Sequence, residues 1–187
     1  MNFELVLRRA VGGLEAAGVH YALIGGFAMA MRGVQRATMD LDFILMLEDM
    51  DKADQVLCDC GYERVFHSEN VSHYASPSQE WGRIDILHAF RGPTLGMLKR
   101  AEALPVLDGL SIKVVQVEDI VGLKVQAMVN NPAREPHDWS DIRMILTAAG
   151  EQGTSIDWRL LAEYLAIFKW EEKLPELKRF YGATDSS

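Results

Sequence analysis

The apolar segment from Asp40 to Met46 constrains the fold of this chain most, because it carries two aspartates, Asp40 and Asp42. On a β-strand, residues two apart point to the same face, so these two carboxylates project together while Leu41 and Phe43 face the other way. Such a pair repels itself and loses hydration, and it normally persists because a divalent cation neutralises it. Oxygen ligands favour Mg²⁺ or Mn²⁺ over zinc. The segment therefore predicts a strand that carries a metal site.

A second predicted strand, Arg83 to Ala89, carries one aspartate, Asp85, among apolar residues. Ile84 and Ile86 face away from it. If this strand lies beside the first, three carboxylates converge, as in two-metal phosphoryl-transfer sites, whose ions lie roughly 3.5–4 Å apart. We therefore expect Asp40, Asp42 and Asp85 to share one cleft.

A glycine pair, Gly25 and Gly26, follows the short apolar strand Tyr21 to Ile24 and precedes a helix predicted over 27–32. Bare amides at the start of a helix form an anion site suited to a triphosphate. Each of these three patterns is common by itself, but their order along the chain predicts a site for nucleotidyl transfer.

The pattern of elements changes character near residue 115. Strands and helices alternate before it, and helices predicted over 117–129, 138–149, 157–168 and 171–180 follow it, with 130–136 read as a loop. This indicates an α/β (α+β) fold in which helices flank a mixed sheet, with a C-terminal helical extension. We expect a catalytic core at 1–115, a helical region packed on it at 116–182, and a disordered tail at 183–187.

Composition narrows the function further. The chain has 187 residues and a formal charge of −8. Proteins that grip duplex DNA are usually basic, so this balance counts against such a partner, although a small basic patch could still hold an RNA end and an acidic surface suits a cationic small substrate. No apolar run approaches the roughly 20 residues of a membrane span, and the N-terminus lacks the order of a signal peptide. We expect a cytoplasmic protein without a membrane partner.

The front-half motifs resemble a known superfamily. Gly25-Gly26-Phe27-Ala28, followed by Arg36-Ala37-Thr38-Met39-Asp40-Leu41-Asp42, looks like the nucleotidyltransferases of the polymerase-beta type. More narrowly, it resembles the bacterial AbiEii-like nucleotidyltransferases, which include type IV toxin–antitoxin toxins. The similarity runs from about Tyr21 to Leu146. In the back half, the helix around Lys124 and the segment from Arg134 to Ile142 resemble the group's lysine-bearing helix and its Arg-x-Lys-Asp-x-x-Asp motif, with His137 where the group often has lysine.

This resemblance implies a nucleotidyltransferase fold, a reaction and a set of site residues. Asp40 and Asp42 would hold Mg²⁺ or Mn²⁺ and the nucleoside triphosphate, and Asp85 would complete the metal site and help to deprotonate an acceptor hydroxyl. The residues expected to bind the nucleotide are Gly25, Gly26, Arg36, Thr38, Lys124 and Asp141.

Several of these residues have a structural alternative. Lys124 shares a helix face with apolar residues and could simply extend past them to solvent. Asp138 is expected to cap the helix predicted to begin there, with Asp141 in its first turn. Arg36 is either a phosphate clamp or a loop arginine.

Three functions remain open. The first is metal-dependent transfer of a nucleoside monophosphate to RNA, such as a tRNA end, or to protein, in a toxin–antitoxin system with an antitoxin partner. The second is an aminoglycoside-type transferase acting on a small molecule. The third is a catalytically silent module of the same fold, against which the three clustered carboxylates argue.

Overall fold

The computed structural model describes residues 3–35, 38, 40–76, 78 and 81–182. The strands in these ranges are β1 (Tyr21–Ile24), β2 (Asp40–Met46), β3 (Glu63–His67), β4 (Val71–Ala75), β5 (Arg83–Ala89), β6 (Glu102–Leu107) and β7 (Leu110–Val114). The helices are α1 (Phe3–Val6), α2 (Gly12–Ala16), α3 (Gly25–Met31), α4 (Met50–Asp59), α5 (Gly92–Arg100), α6 (Val117–Asn130), α7 (Glu135–Glu151), α8 (Trp158–Ile167) and α9 (Leu174–Gly182). A π-helical turn, Leu7–Val11, joins α1 to α2.

The strands of the described residues form one mixed sheet of seven, in the order β3-β4-β5-β2-β1-β7-β6. β2 runs parallel to β5, and β1 runs parallel to β7. The remaining neighbours are antiparallel. The two strands that carry aspartates, β2 and β5, are therefore adjacent in the sheet.

Alternation along these strands separates a closed face from an open one. Leu41 and Phe43 on β2, and Ile84 and Ile86 on β5, are buried, whereas Asp40, Asp42 and Asp85 on the other face are half-buried. Helix α4 contacts the closed face, where Asp54 accepts a hydrogen bond from the Tyr74 hydroxyl at 3.0 Å. Burial of the apolar side supplies the main driving force for the sheet, because apolar area removed from water contributes roughly 25 cal/mol per Å².

The described residues divide into two compact units, the first within Met1–Met31 and Arg36–Val115 and the second within Arg32–Gln35 and Gln116–Ser187. The first holds the whole sheet. In the second, α6 packs against α7 and α8, and α7 packs against α9. None of the helices in the described part of the chain combines the length and the apolar character that a membrane crossing requires.

Two predicted helix starts and one predicted loop were wrong, and two elements were not predicted. Helix α3 begins at Gly25 rather than at residue 27, and α7 begins at Glu135 rather than at Asp138. The segment read as a loop over 130–136 therefore includes the first turn of α7, where Pro136 is tolerated because the amide of that position has no helical partner. Helix α5 and strand β6 were not predicted, since Gly92, Pro93 and Pro105 weaken their patterns. Pro105 is accommodated because β6 is an edge strand.

Candidate active site

The pairing of β2 with β5 brings the predicted carboxylates together. Asp42 lies directly opposite Asp85 in the parallel register, and Asp40 lies opposite Arg83, one step of the pleat away. Directly paired residues project from the same face of a sheet, so all three carboxylates lie on the open face. The register therefore places Asp40, Asp42 and Asp85 on one face of two neighbouring strands, while their convergence on one cation and their chemical roles stay predictions.

The glycine turn meets the same place from the other side. On β1, Ile24 is the register partner of Asp42, and the next residue, Gly25, has φ +67°. A Cβ built on Gly25 would collide with the carboxylate of Asp42. Glycine suits this position because the left-handed region disfavours a side chain and the close approach of the Asp42 carboxylate leaves no room for one. The turn is thus packed against the Asp42 carboxylate on the neighbouring strand.

The Thr38 side chain forms hydrogen bonds with the backbone of Asp40. Its hydroxyl donates to the Asp40 carbonyl oxygen at 3.2 Å and lies 3.4 Å from the Asp40 amide nitrogen. These bonds hold the entry into β2, which gives Thr38 a positioning role beside the predicted nucleotide-binding role. Arg36, the other predicted residue of this segment, lies outside the described residues.

The carboxylate oxygens of the three aspartates suit a hard cation, but they are not grouped closely enough to form a ready set of ligands. Among the described residues, the one group of three candidate ligands whose ligand atoms all lie within 4.8 Å of one another is a different one, His137, Asp138 and Asp141. The three sheet carboxylates are half-buried. Oxygen-only ligands of this kind fit Mg²⁺ or Mn²⁺.

One residue of this face, His73, was missed by sequence reasoning. His73 on β4 is the register partner of Asp85, and its Nδ1 lies 2.6 Å from Asp85 Oδ1. The histidine showed no metal-ligand spacing in the sequence, because its neighbour is 12 residues away along the chain and one strand away in space. Only the register of β4 against β5 brings the two together.

The back-half motif forms an ion-pair cluster in the second unit. Lys124 Nζ on α6 donates to Asp138 Oδ1 at 2.8 Å and to Asp141 Oδ2 at 2.5 Å, and Arg134 Nε donates to Asp138 Oδ2 at 2.8 Å. The side chains of Asp138 and Asp141 are 0% and 2% exposed. Two cations thus balance two buried carboxylates, so a metal at this cluster would have to displace Lys124.

These contacts correct the expectation that Asp138 caps its helix. Asp138 lies within α7 rather than at its start, and its carboxylate points to Lys124 and Arg134. Burial alone would raise the pKa of Asp138, but the hydrogen bonds from Arg134 and Lys124 outweigh it and hold that pKa below its ordinary value. Lys124 does not extend to solvent either, because its side chain is only 11% exposed.

A cavity of about 640 Å³ lies on the first unit but away from the carboxylates. Met46, Ala89, Leu95 and Leu98 are among its lining residues. Met46 follows Asp42 by four residues on β2, and Ala89 follows Asp85 by four on β5, which separates the cavity from the carboxylates by about 13 Å along the strands. The carboxylate site is an open face of the sheet and not this cavity.

The sequence matches, over residues 4–179, the family described as "Nucleotidyl transferase of unknown function (DUF2204)". The chain belongs to this nucleotidyl transferase family. A comparison with curated proteins found no match.

Solved nucleotidyltransferases share the fold of this family member. The antibiotic-resistance factor ANT(2'')-Ia superposes with a TM-score of 0.66 at 14% identity, covering 95% of this chain and 97% of that chain. A nucleotidyltransferase of Thermotoga maritima gives 0.57 at 14% identity, covering 74% and 92%. The lincosamide antibiotic adenylyltransferase LnuA gives 0.50 at 19% identity, covering 63% and 83%. At these identities the likeness shows the fold, and it confirms the predicted nucleotidyltransferase fold class.

Proposed function

We propose that this nucleotidyltransferase moves a nucleoside monophosphate from a nucleoside triphosphate to an acceptor hydroxyl, with Asp40, Asp42 and Asp85 as the catalytic carboxylates and the ligands of Mg²⁺ or Mn²⁺. The observation that carries the proposal is the register of β2 and β5, which sets Asp42 beside Asp85 with Asp40 on the same face. An enzyme without metal or phosphate chemistry would gain nothing from three like charges on a half-buried face.

Each residue of the site then has a stated task. The cation, when bound, supplies positive charge that neutralises the phosphate oxygens. Gly25 and Gly26 let the triphosphate approach the backbone beside Asp42. Asp85 accepts the proton of the acceptor hydroxyl, whose oxygen bonds to the α-phosphorus while the bond from that phosphorus to the bridging oxygen breaks and pyrophosphate leaves. Thr38 keeps Asp40 in place through the Asp40 backbone.

The remaining nucleotide-binding assignments are Arg36, Lys124 and Asp141. Arg36 precedes Asp40 by four residues and has the planar fork that suits phosphate. Lys124 and Asp141 already bond each other, so a role with nucleotide requires that the triphosphate compete for the Lys124 ammonium. That competition is what distinguishes a binding role from a structural one.

Two acceptor classes remain, and different observations support them. The AbiEii-like motifs favour a macromolecular hydroxyl, on RNA or protein, and a toxin with an antitoxin partner. The aminoglycoside and lincosamide transferases among the solved neighbours favour a small molecule, as does the formal charge of −8, which attracts cationic acceptors.

Labelled nucleoside triphosphates with Mg²⁺ test the proposal when they are offered with total RNA, with the protein itself and with an aminoglycoside. We expect label in one acceptor, and we expect EDTA or Asp42→Asn to abolish it. Mn²⁺ with a nucleoside triphosphate should also raise the Tm of the wild type, because a ligand that binds the native state stabilises it. The same ligands should leave the Tm of Asp42→Asn unchanged.

Asp108→Asn is the matched control, because it makes the same chemical change at an exposed turn. It should keep both the transfer and the Tm shift. Transfer that survives in Asp42→Asn would refute the assignment of the carboxylates.

A further inference from the structure

A row of paired residues crosses five strands through the proposed site. In register order it contains Phe66 on β3, His73 on β4, Asp85 on β5, Asp42 on β2 and Ile24 on β1. Directly paired residues share a face, so Phe66 and His73 extend the carboxylate face beyond Asp85. A substitution at His73 should therefore affect Asp85, the carboxylate of the site that lies nearest to it in this row.

The contact between His73 and Asp85 is short and specific to one ring nitrogen. Nδ1 lies 2.6 Å from Asp85 Oδ1, just below the usual N–H···O range of about 2.7–3.2 Å. The two side chains are 37% and 36% exposed, so neither is locked by burial alone. An ionised Asp85 accepts this bond and the imidazole donates it.

A β-bulge fixes the other side of the imidazole ring. The pairing of β3 with β4 shifts between Arg64 and Phe66, so that Phe66 rather than Val65 lies opposite His73. The rings of Phe66 and His73 are 5.2 Å apart between centroids and tilted by 31°. Bulges often re-aim a side chain next to a functional site, and this one places an aromatic ring, itself 50% exposed, against the histidine.

We infer that His73 is a positioning residue for Asp85. The Nδ1 bond commits Oδ1 of Asp85 to the histidine and so directs Oδ2 to the proposed cation and acceptor hydroxyl, while Phe66 holds the imidazole plane. The inference rests on the proposed function and concerns how the third carboxylate is oriented. A partner that orients a ligating carboxylate typically contributes 10- to 100-fold to metal affinity or activity.

Two amide substitutions separate the ring nitrogens. The amide of asparagine reaches the position of Nδ1, whereas that of glutamine reaches the position of Nε2. We expect His73→Asn to stay close to wild type, and His73→Gln and His73→Ala to lose about 10- to 100-fold in kcat and in Mn²⁺ affinity, with little change in the KM for nucleotide. Mn²⁺ affinity is measured with the metal alone, by the dependence of the Tm on Mn²⁺ concentration.

The Tm in EDTA separates positioning from folding, and each variant should melt there as the wild type does. If a His73 variant melts early, Phe66→Leu takes its place. This change lies on a half-exposed side chain and should weaken Mn²⁺ binding in the same direction, to a smaller extent.

The possible outcomes keep the two proposals apart. A wild type with neither transfer nor a Mn²⁺ shift overturns the proposed function. An active wild type with His73→Ala or His73→Gln unchanged overturns the positioning role and leaves the function standing. Equal losses in His73→Asn and His73→Gln also overturn it, because the Nδ1 bond would then not be what matters.

Discussion

At Gly25, one residue meets two requirements that together favour glycine. Its φ is +67°, and the space where a Cβ would sit is taken by the Asp42 carboxylate. The turn and the carboxylate are therefore one structural unit: a side chain at Gly25 would displace the group that the proposed function needs most. The proposed role of His73 likewise depends on one atom, the Nδ1 nitrogen that contacts Asp85.

The first prediction concerns this glycine. Gly25→Ala should lose nucleotidyl transfer and the Mn²⁺-dependent rise in Tm, because the new methyl group pushes the Asp42 carboxylate aside. Its free energy of unfolding should also fall by more than the roughly 1–2 kcal/mol that a left-handed alanine costs. A transfer assay and denaturant melts measure these effects.

Gly18 supplies the matched control for this glycine. It has φ +65°, and nothing lies within 4 Å of a Cβ built there. Gly18→Ala should therefore lose stability from the backbone alone and keep transfer. Equal behaviour of the two variants would mean that the contact with Asp42 has no consequence.

At the scale of elements, α6 and α7 are joined by a buried ion-pair cluster. Lys124 on α6 bonds Asp138 and Asp141 on α7, one turn apart on the same helix face. The starting point of α7 decides this arrangement. Because the helix begins at Glu135, Asp138 lies inside the helix and faces α6 instead of capping an end.

The second prediction tests whether Lys124 is structural. Lys124→Met should lower the free energy of unfolding by about 3–5 kcal/mol, because it leaves two buried carboxylates without their shared cation. Arg159→Met, at an ion pair whose arginine is 85% exposed, should change it by less than about 1 kcal/mol. Urea melts at neutral pH compare the two.

A different result would restore the nucleotide-binding role. If Lys124→Met melts like the wild type but shows a much higher KM for the nucleoside triphosphate, the lysine serves the phosphates and the ion pairs with Asp138 and Asp141 are incidental.

For the molecule as a whole, charge is the property that bears on the acceptor. The chain carries 27 acidic and 19 basic residues, a difference of −8. A field of this sign attracts cations and repels polyanions over distances of about a Debye length, roughly 10 Å in moderate salt. The dependence of kcat/KM on ionic strength should therefore indicate the sign of the acceptor's charge.

The third prediction follows from this field. With a cationic small-molecule acceptor, kcat/KM should fall as NaCl is raised, because salt screens the attraction. With an RNA acceptor, kcat/KM should rise over the first additions of salt, because the net repulsion is screened. Initial rates measured at increasing NaCl concentration give this dependence. As a control, a second salt at the same ionic strength should give the same change if screening is the cause. A profile that stays flat would show that net charge plays no part in acceptor capture.

The sequence by itself determined the elements that carry the chemistry. Local alternation was enough to find β2 and β5 and to put Asp40 and Asp42 on one side, because the side-chain period of a strand is fixed by its backbone. The glycine pair was also visible, since two consecutive glycines directly after an apolar strand mark a turn.

The tertiary structure alone decided which residues became neighbours. Strand order and register depend on how whole elements pack, and a shift of one residue would have turned Asp85 to the closed face. His73 came to Asp85, and Phe66 to His73, through the register of β4 and a bulge in β3 that no local pattern announces. In the same way, the burial of Asp138 depended on a cation from another helix, and neither sequence spacing nor propensity carries that information.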